Sequence, residues 1–239
     1  MSSYFESLYS NDRTSKDWPL EHACENDEVT GFSYLALICA ALFAVGNWLA
    51  VVRATKLLEY MCKPATTVAL LALSLTLDVP NYGAKVWLGI ALLFSLAGDV
   101  FLMLPSDAFV PGLASFAVGQ ICFAVNFGLQ EPSDGRVVLA VAVVFPGAWL
   151  LARRFLNALK HRGVGELALP VAVYISMISV MVLASISAGT AVGVSGALLF
   201  MISDSLIAEH RFVTQRNWQP VAIMITYHSA LAGIVLGLV

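Results

Sequence analysis

Two aspartates lie inside long apolar stretches of a 239-residue chain: Asp99 in LLFSLAGDVFLML and Asp204 in ALLFMISDSLIA. A carboxylate within a bilayer-crossing helix is expensive, and such residues tend to serve proton transfer, ion pathways or substrate binding. Two of them can divide labour as acid and base, because burial disfavours the ionised form and each charge disfavours its neighbour's. The duller use is cohesion, a carboxylate hydrogen-bonded to Ser, Asn or Tyr of a neighbouring helix, worth about 1 kcal/mol. Two carboxylates at one depth make an expensive glue, which favours chemistry.

Positioning them requires membrane-spanning helices, and the composition supplies these. The chain is 59% hydrophobic and only 12% charged, with a mean hydropathy of +0.81, outside the range of soluble globular domains. The expected fold is all-α, a polytopic membrane helix bundle of about eight transmembrane helices over residues 32–239. It follows an acidic, disordered tail, residues 1–31, which carries Glu6, Asp12, Asp17, Glu21, Glu25, Asp27 and Glu28. That polar start is unlike the basic, then apolar, head of a signal peptide. A net charge of -3 leaves no nucleic-acid footprint, and the four cysteines, Cys24, Cys39, Cys62 and Cys122, show no metal-binding spacing. Neither disulfides nor a structural zinc are expected.

A span needs roughly 20 mostly apolar residues. Segments 32–52, 63–77, 86–104, 109–129, 137–151, 167–187, 190–208 and 220–239 qualify, the second and fifth being short. Lys and Arg collect in alternate connections: Arg53, Lys56 and Lys63; Arg153, Arg154, Lys160 and Arg162; Arg211 and Arg216. Those loops are expected on the cytoplasmic side. Eight spans put both termini opposite; seven put the C-terminus in the cytoplasm. ALLFSLAGD, residues 91–99, and ALLFMISD, residues 197–204, hint at a four-plus-four repeat, although coincidence in a Leu/Ala-rich chain competes with it.

Counted from the basic ends, both aspartates lie about five residues in, roughly 7 Å by helical rise. Asn47, Lys63, Ser115, Tyr174, Tyr227 and His228 fall at similar depth. Turned inward, these residues would line a wet pocket open to the cytoplasmic leaflet. Each has a plainer reading. Lys63 serves equally as an interfacial anchor, the tyrosines as interfacial aromatics, and His228 as a satisfied buried histidine. Pro64 reads as a first-turn proline. Gln120 and Asn126 are expected to join helices, and His210, Arg211 and Arg216 to form a basic loop. Asp99, Asp204 and His228 show no spacing that argues for a metal site.

Several blocks carry a family resemblance: KPATTVALLAL from Lys63, LLFSLAGDVFLM around Asp99, FVPGLASFAVGQICFAVNF from Phe109, ELALPVAVYISMISVM around Tyr174, GALLFMISDSLIAEHRF around Asp204, and MITYHSALAGIV around Tyr227. The chain resembles the lysoplasmalogenase (YhhN-like) family of multispan membrane proteins over about 180 residues. It departs from the family pattern at Gln120 and Phe123, where a histidine and a tyrosine are usual, and at His228 and Leu231 in the last block. Those departures bear on substrate preference more than on reaction class.

The resemblance implies hydrolysis of the vinyl ether of a lysoplasmalogen, a lysophospholipid, to a fatty aldehyde and glycerophosphoethanolamine or glycerophosphocholine. It implies residence in a bacterial cytoplasmic membrane or the endoplasmic reticulum, with membrane lipid as the surroundings and no cofactor. Protonation of the outer alkene carbon gives an oxocarbenium ion, to which water adds. Asp99 and Asp204 are the candidate acid and base, in either order. Lys63 is a candidate for the phosphate, and Asn47, Ser115, Tyr174, Tyr227 and His228 for substrate oxygens or water. A proton-coupled transporter is the rival reading of level carboxylates beside a Lys and a His, and an inactive lipid-binding relative is a third.

Overall fold

The computed structural model describes residues 18–106, 108–130 and 136–238. Residues 1–17, most of the segment read as an acidic tail, lie outside the described residues. Eight long helices follow in order among those described: α1 (Trp18–Val52), α2 (Lys56–Thr76), α3 (Tyr82–Met103), α4 (Phe109–Gly128), α5 (Arg136–His161), α6 (Ala168–Ala188), α7 (Ala191–Phe212) and α8 (Gln219–Leu236), with a 3-10 turn, Gly165–Leu167, before α6. The described residues contain no strand. Backbone polar groups have no water partner in hydrocarbon, so helices that satisfy their own N–H and C=O groups are the expected solution.

Seven of the eight are long and apolar enough to cross a membrane: α1 from Gly31 onward, and α3 through α8. The chain is an integral membrane protein. The exception is α2, whose first eight residues hold Lys56, Glu59 and Lys63. It was expected to begin at Lys63, but begins two turns earlier. Pro64 therefore stands inside the helix rather than in its first turn, and Tyr60 loses the N–H that its carbonyl would have received from residue 64. α5 also outruns expectation, continuing from 151 to His161, and α7 runs on from 208 to Phe212.

Local signals account for several helix ends. The Asn81 side chain accepts a hydrogen bond from Ala84 N at 3.2 Å and caps α3. Gly189, at φ 81°, ends α6 in the left-handed conformation that glycine adopts without a Cβ clash. Pro220 opens α8.

Neighbouring helices pack in chain order except at α4 and α5, and α4 against α6, α5 against α7, and α8 against α1 and α2 complete the bundle. The α7–α8 crossing is very close. A Cβ on Gly196 would stand 2.6 Å from Ile234 N and 2.8 Å from Ala230 O. Without a strong hydrophobic drive between helices in lipid, such backbone approach supplies the van der Waals contact that holds them. At the centre, Phe116, Phe123, Phe200 and Tyr227 meet edge to face, with centroids 5.6 to 6.3 Å apart. Cys39, Cys62 and Cys122 are free thiols.

Candidate active site

Asp99 is wholly buried and surrounded by donors from two other helices. Thr67 Oγ1 on α2 and Tyr227 OH on α8 donate to its Oδ2 at 3.1 and 2.8 Å. Lys63 Nζ lies 3.2 Å from Oδ1. Oδ1 has no hydrogen bond of good geometry, so its contact with Lys63 is an ion pair first. A set made only of donors suits a carboxylate. Lys63 and Thr67 are four residues apart on α2, hence on one face, and that face is turned to Asp99.

Asp204 has a different setting. Tyr174 OH on α6 donates to its Oδ2 at 2.5 Å, and Gln120 Nε2 on α4 approaches the same phenol oxygen at 3.5 Å. No Lys, Arg or His among the described residues pairs with it, and it is partly exposed where Asp99 is not. Phe116, Phe200 and Tyr227 pack beside the two carboxyls: Tyr227 carries the donor to Asp99, and Phe116 lines the space beside Asp204.

That space is an apolar slot between α4, α5, α6 and α7. Asp204, Tyr174 and Ser205 bring the polar atoms to a lining otherwise made of residues such as Leu113, Phe155 and Ile178. It holds about 640 Å³ of empty space, mouth included. A second, wider cavity of about 1850 Å³, also counted with its mouth, opens where the α1–α2, α5–α6 and α7–α8 connections meet. Lys56, Glu59, Lys63, Arg162, His210 and Arg211 give this vestibule its polar wall. Leu102, Phe109, Ile207 and Phe212 line both spaces, which therefore adjoin. Ile207 lies three residues beyond Asp204, so the carboxyl sits about one helical turn inside the slot.

The remaining candidates divide. Tyr174 and Tyr227 each hold a carboxylate through the phenol proton. Asn47 Nδ2 reaches Glu59 O at 3.4 Å and Ser115 Oγ donates to Phe94 O at 2.7 Å, which ties α1 to α2 and α4 to α3. His228 is buried and takes a hydrogen bond from Trp48 Nε1 at 3.1 Å on Nδ1, so a neutral ring carries its proton on Nε2, which has no partner among the described residues. Asn126 joins α4 to Ala84 O of α3 as expected. Gln120 likewise joins α4 to α6, and it does so through Tyr174, which brings it into the Asp204 network. Sequence reasoning missed Thr67 and Trp48. The spacing of Thr67 from Lys63 was the available signal for the first; nothing in sequence pairs Trp48 with a residue 180 positions away. Among the described residues, no three His, Cys, Asp or Glu side chains come together as a metal site.

The mycobacterial protein named lysoplasmalogenase from Mycobacterium bovis is 34% identical over 183 residues, covering 71% of this chain and 67% of its own. Human lysoplasmalogenase TMEM86B is 32% identical over 151 residues, 63% of this chain and 62% of its own. Human lysoplasmalogenase TMEM86A is 31% identical over 152 residues, 59% and 60% of the two chains. The matches thus span 60 to 67% of the length of these relatives. No solved structure matches it. The YhhN family model matches residues 58–238, a stretch from α2 through α8 that contains Lys63, Asp99, Tyr174, Asp204 and Tyr227, and the chain belongs to the YhhN family.

Proposed function

We propose that this protein is a lysoplasmalogenase, hydrolysing the vinyl ether of a lysoplasmalogen to a fatty aldehyde and glycerophosphoethanolamine or glycerophosphocholine. The observation that carries the reading is Asp204, a carboxyl lining an apolar slot that adjoins a basic vestibule. A lysolipid has one chain, one phosphate and, in this class, an acid-labile bond between them. Chain in slot and phosphate in vestibule bring the vinyl ether to the depth of Asp204.

In this mechanism Asp204 gives its proton to the outer alkene carbon, and the alkene π electrons form the new C–H bond. The resulting oxocarbenium ion lies beside the new carboxylate. Water adds to the cationic carbon and returns a proton to Asp204. The hemiacetal then breaks its C–O bond, passing the hydroxyl proton to the glycerol oxygen. Tyr174 fixes the carboxyl orientation from Oδ2 and leaves Oδ1 for the reaction. Asp99, neutralised by Lys63 at 3.2 Å and enclosed by its donors, takes no proton in these steps and holds α2, α3 and α8 together beside the site. The distribution of Lys and Arg supports a vestibule on the cytoplasmic side.

The test is aldehyde release from a lysoplasmalogen by the purified full chain in detergent, with Asp204→Asn and Asp99→Asn beside it. Aldehyde from the parent and a loss of roughly 10²–10⁴-fold in kcat for folded Asp204→Asn is the expected result, the range for removing a general acid. No aldehyde from folded parent protein would sink the hydrolase and favour proton-coupled transport, read by proton flux in liposomes.

A further inference from the structure

The vestibule's two walls differ in how their charges are spent. On the α2 side, Lys56 Nζ is 3.0 Å from Glu59 Oε2, and Lys63 Nζ is 3.2 Å from Asp99 Oδ1 with its side chain only 7% exposed. Both cations on that wall already have a carboxylate. On the other wall, Arg162 at the end of α5 donates Nη2 to the carbonyl of Val213 at 3.1 Å. No carboxylate among the described residues pairs with it. The same bond draws Arg162 to the end of α7, where Arg211 lies 4.2 Å over the Phe109 ring.

His210 completes this wall. Its Nδ1 lies 3.0 Å from Gln219 Oε1, and the same oxygen accepts Arg216 N at 2.7 Å. A backbone N–H can only donate, which fixes that atom of Gln219 as the oxygen; Nδ1 of His210 must therefore carry hydrogen. The ring is pinned through Nδ1 to the start of α8 in a residue that lines the vestibule. A planar guanidinium offers a fork of N–H donors that matches a phosphate's oxygens, which an ammonium does not.

We propose that the α5–α7 wall, with Arg162 as principal ligand and His210 and Arg211 beside it, binds the phosphodiester of the lysolipid head group. Lys63 stays with Asp99. This assignment rests on the slot-and-vestibule reading of the substrate given above. The phosphate sets the register of the lipid: held at the rim, it lets the first atoms of the chain descend one helical turn to Asp204. Arg162 is thus a binding residue that decides how far the vinyl ether enters, with no part in proton transfer.

Binding is measured on the intact protein with a 1-O-alkyl lysophosphocholine, which lacks the vinyl bond and cannot be cleaved. The same titration is run with 1-O-alkylglycerol, which lacks the phosphate, and competition is run with inorganic phosphate. Arg162→Gln is expected to weaken the phosphate-bearing ligand about ten- to hundredfold, the worth of a charge-assisted hydrogen bond, and to leave the alkylglycerol unchanged. Arg162→Lys falls between, and Lys56→Gln stays within about twofold of the parent. Equal weakening of both ligands by Arg162→Gln would mark a structural role and overturn the proposal, as would an effect confined to Lys56→Gln. Displacement by millimolar inorganic phosphate as effective as by the lysolipid would overturn the head-group assignment. Because the ligand is inert, this pattern stands or falls apart from aldehyde release. If hydrolysis is found, Arg162→Gln raises KM by the same factor, any accompanying fall in kcat reports the lost register, and a fall in kcat at unchanged KM would again refute the proposal.

Discussion

Replacing Lys63 with methionine tests whether Lys63 and Asp99 form one electrostatic unit. The exchange keeps the stem and removes the charge. Asp99 is then left wholly buried, with only the two neutral donors Thr67 and Tyr227 at 3.1 and 2.8 Å. Stranding one member of a buried ion pair costs about 3–5 kcal/mol, and because the two hydroxyl bonds survive, the lower end, about 3 kcal/mol, is expected. Asp99→Asn should cost less, about 1–2 kcal/mol, since Lys63 borders the vestibule and can turn its ammonium toward water. The double variant removes both charges, keeps the amide oxygen as acceptor for Tyr227, and should cost about 1–2 kcal/mol. Combining these gives a coupling of about 3 kcal/mol, well above the ~0.5 kcal/mol scatter of independent sites. The assay is reversible unfolding of the four proteins in mixed micelles titrated with SDS, followed by helix content. A coupling below that scatter, or an Asp99→Asn penalty larger than that of Lys63→Met, would refute the reasoning.

Two further outcomes follow from other contacts. Tyr174→Phe deletes the 2.5 Å bond to Asp204, and should lower kcat about ten- to hundredfold at unchanged KM, the value of a hydrogen bond to a charged group; an unchanged kcat in an aldehyde-release assay would mean that Asp204 needs no orienting partner. Gly196→Ala places a methyl against the backbone of α8 and should cost about 1–3 kcal/mol by overpacking, whereas Gly147→Ala in α5, with nothing within 4 Å, should be neutral or stabilising by up to about 1 kcal/mol. Equal stabilities for the two alanine variants in the SDS titration would contradict the close α7–α8 approach.

The two carboxylates were legible because charge inside a long apolar run has no camouflage, and their tyrosines because few polar residues shared their depth. What escaped is what depends on helix phase and partner choice. Pro64 suggested a start for α2 at Lys63, yet a proline inside a helix forfeits one hydrogen bond without always ending it, and two polar turns precede it. That shift turns Lys63 from the mouth of a span into a residue of its third turn, facing Asp99 across 36 positions of sequence. Gln120 was legible as a joining residue, but its partner Tyr174 stands on α6, and only that pairing brings it to Asp204. Arg162 and His210 were visible as basic loop residues, but only the tertiary meeting of α5 with the end of α7 makes them one wall.

The two acids occupy matching places in a repeated packing scheme. Shifting the helices by four converts α1–α2, α2–α3, α3–α4 and α2–α8 into α5–α6, α6–α7, α7–α8 and α6–α4, and all eight pairs are in contact, whereas α1–α8 and α5–α7 have no comparable counterpart. Asp99 on α3 is accordingly met from α2 and α8, and Asp204 on α7 from α6 and, through Tyr174, α4. The chemistry at the matching places differs. α2 brings an ammonium and a hydroxyl to Asp99, which close around it; α6 brings only a phenol to Asp204, and α5 and α6 stand far enough from α7 to leave the slot open. One scaffold position thus carries a neutralised, enclosed carboxylate, and its counterpart an acid open to an apolar ligand. Such an arrangement separates a paired charge from an accessible carboxyl, which is why the proposed mechanism gives the proton transfer to Asp204.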